Sequence, residues 1–254
     1  MLVSPMNSYL EIATKAAREA GALLRENYET DLAVDAMHDH DIKLELDVRS
    51  QDLITSILLG AFPDHAIYGE EGIAGNSDSA IEWIVDPIDG TVNYFYGIPH
   101  FCVSIAMREA GVLKVGVIYD PMMDELYAVE AGGIPTRNGK PISASSRANL
   151  SEAVVTIGFS KSKEAMDAGM ERYRAIAYQV RKSRMMGSAA LALAYIACGR
   201  LDAYIEEQIS LWDIAAGQLL VEAAGGSIKL SDSTSHPDKW GIVAHNGKLP
   251  LDGI

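Results

Sequence analysis

Residues 8–28 place Leu10, Ala13, Ala17, Ala20, Leu24 and Tyr28 three or four apart. That spacing predicts a helix with one buried stripe, capped by Asn7 or Ser8. A second helix is predicted from about Asp47 to Leu59, ending at Gly60 and Pro63. Ala66-Ile67-Tyr68 reads as a short strand running into Gly69-Glu70-Glu71-Gly72, and Trp83-Ile84-Val85 as a buried strand running into Asp86-Pro87-Ile88-Asp89-Gly90-Thr91. Residues 101–107, 112–118 and 125–130 predict an antiparallel set turning at Gly111 and Asp120-Pro121.

From Gly132-Gly133 to about Leu150 the chain is polar and turn-rich, which marks a boundary between a subdomain over 1–145 and another over 146–254. Beyond it, strands are predicted at 153–158, Leu201–Ile205, Ile228–Leu230 and Ile242–Ala244. Helices are predicted at 163–180, 187–198 and Trp212–Ala224, the last stopped by Gly225-Gly226. This order gives an α/β chain of mixed sheets layered with helices, with a site between the two subdomains.

Composition narrows the chemistry. The 254 residues are 48% hydrophobic, enough for one large or two small cores. No run approaches the ~18 apolar residues of a membrane helix, and Met1 to Asn7 lack the basic start and apolar core of a secretion signal. Cys102 and Cys198 sit in apolar runs and read as small buried hydrophobes of a reducing compartment. A cytoplasmic protein is expected. The net charge of −14 argues against nucleic acid as a direct partner. It also means that an anionic substrate needs bound cations to reverse the local field.

The carboxylates cluster at element ends. Pro87 restricts Asp86 to extended backbone and Gly90 permits a sharp bend. A turn there can aim Asp86, Asp89 and the Ile88 carbonyl into one space, a hard-oxygen set suited to Mg²⁺. Glu70-Glu71 follow a strand between glycines, and Asp47 and Asp213 open predicted helices. Each has a plainer reading. Asp-Pro and Asp-Gly are ordinary turn chemistry, Glu70-Glu71 suit a solvated turn, and Asp47 and Asp213 complement helix dipoles.

Taken together, Gly69-Glu70-Glu71, Asp86-Pro87-Ile88-Asp89-Gly90-Thr91 and Trp212-Asp213-Ile214-Ala215 resemble the three hallmark segments of the inositol monophosphatase family, within the fructose-bisphosphatase-like superfamily. The resemblance extends to Asn93, Gly187-Ser188-Ala189-Ala190 and Ala223-Ala224-Gly225-Gly226. It implies a layered αβαβα sandwich, a homodimer and a Mg²⁺-dependent phosphatase with two or three ions per subunit. Glu70, Asp86 and the Ile88 carbonyl would hold one ion. Asp86, Asp89 and Asp213 would hold a second, and Glu70 with water a weaker third. Thr91 and Asp47 would orient and deprotonate the attacking water, and the Gly90 and Thr91 amides would face the phosphate. Glu206 and Ala189 would line the pocket for the substrate's alcohol part, and Glu71 would orient ligands. Inositol 1-phosphate is the favoured substrate, with histidinol phosphate and fructose 1,6-bisphosphate as alternatives. Some relatives act by binding other proteins, including transcription complexes, so the alternative of another class is a protein-binding regulatory factor with a secondary metal site.

The chain departs from the family pattern in one segment. No Lys precedes Asp41, and Leu44 stands where Thr is common. Retention of the third ion is therefore not implied. Lys43 or the His38/His40 pair could substitute, but residues 35–43 read better as a solvated loop. Ser160-Lys161-Ser162-Lys163 and Glu206-Glu207 fall where the family varies with substrate.

Overall fold

Ser8 starts the first helix. Its hydroxyl accepts the Glu11 amide at 3.1 Å while the Glu11 carboxylate accepts the Ser8 amide at 2.9 Å, a reciprocal cap. In the computed structural model, which describes residues 8–30, 34–38, 41–159, 163–232 and 239–251, this helix is α1 (Tyr9–Asn27). Ala13, Ala16, Ala17, Ala20 and Leu24 are fully buried, and the small side chains let α1 lie against α2 (Glu45–Ala61). The second helix runs through Gly60 rather than stopping there. Pro63 ends it, because the residue before a proline is pushed out of helical backbone, and Phe62 has φ −135° and ψ 75°.

The expectation of a solvated loop over 35–43 is corrected. β1 (Val34–His38) pairs antiparallel with β2 (Asp41–Leu44), and Leu44 is fully buried at the mouth of α2. His40 lies outside the described residues, as do Ser160, Lys161 and Ser162.

The first large sheet contains β3 (Ala66–Gly69), β4 (Gly72–Gly75), β5 (Ile81–Asp89), β6 (Cys102–Glu109), β7 (Val112–Asp120), β8 (Glu125–Glu130), β9 (Thr136–Arg137) and β10 (Lys140–Pro141). Their order is β10-β9-β8-β7-β6-β5-β3-β4, and only β3 and β5 run parallel. A single turn, α3 (Thr91–Phe95), follows β5. The second sheet holds β11 (Val154–Ile157), β12 (Lys182–Arg184), β13 (Ala203–Ile209), β14 (Ser227–Asp232) and β15 (Trp240–His245) in the order β12-β11-β13-β15-β14. α4 (Lys163–Ala177), α5 (Ala189–Ala197) and α6 (Leu211–Ala223) complete the chain.

The layers are α1 and α2, the eight-stranded sheet, α5 and α6, the five-stranded sheet, and α4, a layered αβαβα sandwich. α5 and α6 are covered on both sides, so they are apolar around most of their circumference rather than striped. Their contacts need small residues. A Cβ on Gly217 would stand 2.5 Å from Leu193 Cβ, and one on Gly116 of β7 would stand 2.7 Å from the Ala216 backbone oxygen. The sheet therefore sets the depth of α6, the helix that carries Asp213. Gly116→Ala is expected to cost about 1–3 kcal/mol by overpacking, read as a lower urea midpoint with an unchanged slope. An unchanged midpoint would show that α6 is free to shift.

Candidate metal centre

The decisive local feature is a bulge in β5. Asp86 pairs with Ser104 and Asp89 with Cys102, so three steps on β5 oppose two on β6. In a regular strand residues three apart point to opposite faces. The extra residue brings Asp86 and Asp89 to one side. Pro87 sits in the bulge, where its missing N–H costs no ladder bond, and its carbonyl accepts the Ser50 hydroxyl at 3.3 Å. The Ile88 amide donates to Asp86 Oδ1 at 3.0 Å. Gly90, at φ 98°, closes the turn, and a Cβ there would meet the Gly187 and His100 backbone oxygens at 3.1 Å. Asn93 bonds the same neighbours, its Nδ2 donating to the His100 and Gly187 carbonyls at 2.8 and 3.3 Å, and it also reaches the Met186 carbonyl at 2.9 Å.

Helix starts deliver the remaining carboxylates. Asp47 Oδ2 accepts the Leu44 amide at 2.7 Å and Asp213 Oδ2 accepts the Ser210 amide at 2.9 Å. Both sit in a first turn, where the plainer reading has them complement the helix dipole, both also close a cap, and both line the same cavity. Asp89 meets a third helix start, accepting the Ala189 and Ala190 amides at 3.2 and 2.8 Å and the Ser188 hydroxyl. Gln51 fixes the Glu70-Glu71 turn by accepting the Glu71 amide at 2.9 Å and donating to the Gly72 carbonyl at 3.1 Å.

The result is a cavity of about 790 Å³ lined by Asp47, Glu70, Glu71, Asp86, Ile88, Asp89, Gly90, Thr91, Ala189, Glu206 and Asp213. Every site residue expected from the sequence lines this cavity. Oxygen atoms of Asp86, Asp89 and Asp213 lie within 4.8 Å of one another. Asp86 is held well above the usual carboxylate range, first by burial and then by Glu70, Asp89 and Asp213. Glu70, exposed to the cavity but recessed in the cleft, is also well raised by desolvation and then by Asp213, Asp47 and Glu71. Asp89 is pushed up to about 7 by burial and Asp213, against the pull of its Ser188, Ala190 and Ala189 donors. Clustered hard oxygens at this spacing, destabilised when ionised, fit a divalent cation such as Mg²⁺.

Thr91 has one hydroxyl proton and two acceptors in reach, the Ile88 carbonyl at 2.9 Å and Asp47 Oδ1 at 3.4 Å. On the opposite wall, Tyr204 donates to Glu206 Oε2 at 2.5 Å, and Glu206 packs over Gly158, where a Cβ would collide with its carboxylate. Burial raises Glu206 to about 7 despite the Tyr204 bond. Residues 204 and 206 share a strand face by the two-residue repeat, a signal that reading Glu206 by itself missed. Cys102 is a small buried residue as expected, but it lies beneath the site, its Sγ 3.6 Å from Asp89 Oδ2. Burial and the nearby carboxylates push its thiol up, so it stays protonated. Both cysteines are free. Among the described residues no helix is long and apolar enough to cross a membrane.

Known proteins are similar over nearly the whole chain. The inositol monophosphatase family profile matches residues 6–251. The chain is 39% identical over 227 residues to a Nus factor SuhB of Pasteurella multocida, covering 88% of this chain and 85% of that protein. The crystal structure of extragenic suppressor protein SuhB from Bartonella henselae superposes with a TM-score of 0.87 at 33% identity, over 92% of each chain. The inositol monophosphatase from Anabaena does so with a TM-score of 0.83 at 38% identity, over 96% of this chain and 93% of that one. On its sequence and its fold, the chain belongs to the inositol monophosphatase family, a family of phosphatases.

Proposed function

We propose that the chain hydrolyses a small phosphate monoester, inositol 1-phosphate first among candidates, with water activated by bound Mg²⁺. The observation that carries this reading is the meeting of Asp86, Asp89 and Asp213 within 4.8 Å on a family scaffold. Glu70, Asp86 and the Ile88 carbonyl would hold one ion, and Asp86, Asp89 and Asp213 a second, with any third at Glu70. When bound, the ions supply Lewis acidity and a more acidic water, and can clamp the attacking and leaving oxygens of an in-line displacement.

The chain's own groups do the rest. Asp47 and Thr91 take and orient the water's proton. The hydroxyl proton of Thr91 has Asp47 as its remaining acceptor whenever the Ile88 carbonyl is engaged elsewhere. The Gly90 and Thr91 amides face the phosphate. Glu206 and Ala189 receive the alcohol part, and a carboxylate there suits hydroxyl groups, which favours a polyol. Histidinol phosphate and fructose 1,6-bisphosphate remain the alternatives. We read the site as lying between subdomains 1–145 and 146–254 of a cytoplasmic homodimer.

The name of the Pasteurella relative, Nus factor SuhB, favours a second reading, in which the chain acts as a factor that binds other proteins and the cation site is secondary. Phosphate release from a panel of monoesters separates the two. The first reading expects release with Mg²⁺, none in EDTA, and the highest rate on inositol 1-phosphate. No release from any ester with Mg²⁺ present rejects it.

Asp213→Asn is expected to lower kcat by more than about 100-fold, above the range for residues that only orient metal ligands, with the fold intact by circular dichroism. A near-normal rate at saturating Mg²⁺ would remove Asp213 from the site.

Burial also sets a pH dependence. Asp89 and Glu206 sit at about 7 when folded, against ordinary values of 3.8 and 4.5. Between those limits the folded, cation-free protein binds more protons than the unfolded chain, so its stability falls as pH rises through that window. In EDTA the melting temperature should be higher at about pH 5.5 than at about pH 7.5, and Mg²⁺ at the higher pH should restore it. A cation-free melting temperature that climbs over this range contradicts the assignment.

A further inference from the structure

Among the described residues, a single cation lines the cavity, set against seven carboxylates. It is Lys239, half-buried and immediately before β15. Its Nζ donates to Ser210 Oγ at 2.9 Å. A hydroxyl occupies one of three ammonium donors. Glu206, which lines the same cavity, is held by Tyr204 and seated over Gly158. Lys239 still acts on Glu206 electrostatically, lowering its pKa, so the two groups share one wall.

The position of Lys239 gives it a direction. Ser210 caps α6, and Asp213 closes that cap three residues later. The ammonium thus stands at the start of the helix that carries Asp213, in the cavity that Glu206 also lines, where the alcohol part of an ester would lie.

We propose that Lys239 is a specificity residue that binds a second anionic group, a carboxylate or another phosphate, on the alcohol part of the substrate. The proposal rests on the phosphatase reading above and widens it. The site takes inositol 1-phosphate through the metals and Glu206, and Lys239 adds affinity for esters that also place a negative charge beside it. A cavity lined with carboxylates would otherwise repel such a charge.

Binding measured by calorimetry with Ca²⁺, an oxygen-ligand cation used here in place of Mg²⁺, tests this without turnover. The probes are fructose 1,6-bisphosphate, with a second phosphate; 6-phosphogluconate, with a carboxylate; and inositol 1-phosphate, with neither. Lys239→Gln is expected to raise Kd for at least one doubly anionic probe about tenfold more than for inositol 1-phosphate, the scale of one charge-assisted hydrogen bond. Lys239→Arg is expected to keep the preference, and the probe that loses affinity identifies the anion. Lys239→Met carries the comparison if the Gln variant does not fold. Equal weakening of all three probes would mean that Lys239 only supports α6 through Ser210, and it overturns the proposal, as does no change for any probe. Wild-type protein that binds none of the probes overturns both this proposal and the phosphatase reading. Wild-type protein that hydrolyses inositol 1-phosphate but shows no Lys239-dependent preference overturns this one alone.

Discussion

Carboxylates that repel one another are held in one cleft, and the rest of the structure is arranged around that conflict. Like charges at this spacing favour protonation of one partner or separation of the elements that carry them. Separation is prevented because the carboxylates come from independent, deeply anchored elements: the β5 bulge for Asp86 and Asp89, α2 for Asp47, and α6 for Asp213. Part of the repulsion is offset by geometry. Asp47, Asp89 and Asp213 each accept a backbone amide, at the starts of α2, α5 and α6 respectively. Three helix N-termini thus bring their partial positive charge to the same cleft. The remaining imbalance is what a divalent cation would neutralise.

The layering follows from the same need. A helix start aimed at the cleft must be fixed along its axis as well as across it, and a helix packed on one face can slide. α5 and α6 lie between two sheets, Gly116 lets β7 meet the Ala216 backbone and Gly217 lets Leu193 seat against α6, so their first turns are set by the sheets on both sides. Cys102 and Ser188 under Asp89 extend the support below the bulge. Tyr204, Glu206 and Lys239 build the facing wall on the second sheet and its approach. The carboxylate cluster of the β5 bulge and the Tyr204–Glu206 wall thus rest on different sheets, with α6 touching both.

Much of this was legible in the sequence because each signal was local. Ser8 with Glu11 announces a capped helix, Gly225-Gly226 stops another, and Asp-Pro-Ile-Asp-Gly-Thr after an apolar run marks the site. The bulge was not legible, since its register depends on the partner strand β6, which no local pattern reports. The β1–β2 hairpin was hidden by a polar, charged composition that resembles a loop. The β9–β10 hairpin had a readable signal in Asn138-Gly139, both at positive φ, the turn type that two-residue hairpins favour. β12 is three residues of Lys, Ser and Arg and carries no apolar alternation at all. Lys239 belongs to the cleft only because β15 lies beside β13, a pairing across more than thirty residues of chain.

The central claim is that this carboxylate cluster is a cation site whose ions are taken up in exchange for protons. Calorimetric titration of Mg²⁺ into the apo protein at about pH 6.5, repeated in buffers of different ionisation enthalpy, measures ion number and proton release together. The account predicts at least two ions per chain, protons released on binding, and a release that shrinks as pH rises past about 7, where Asp89 is already ionised. Folded protein that takes up no Mg²⁺, or takes it up with no proton exchange at any pH, would contradict it.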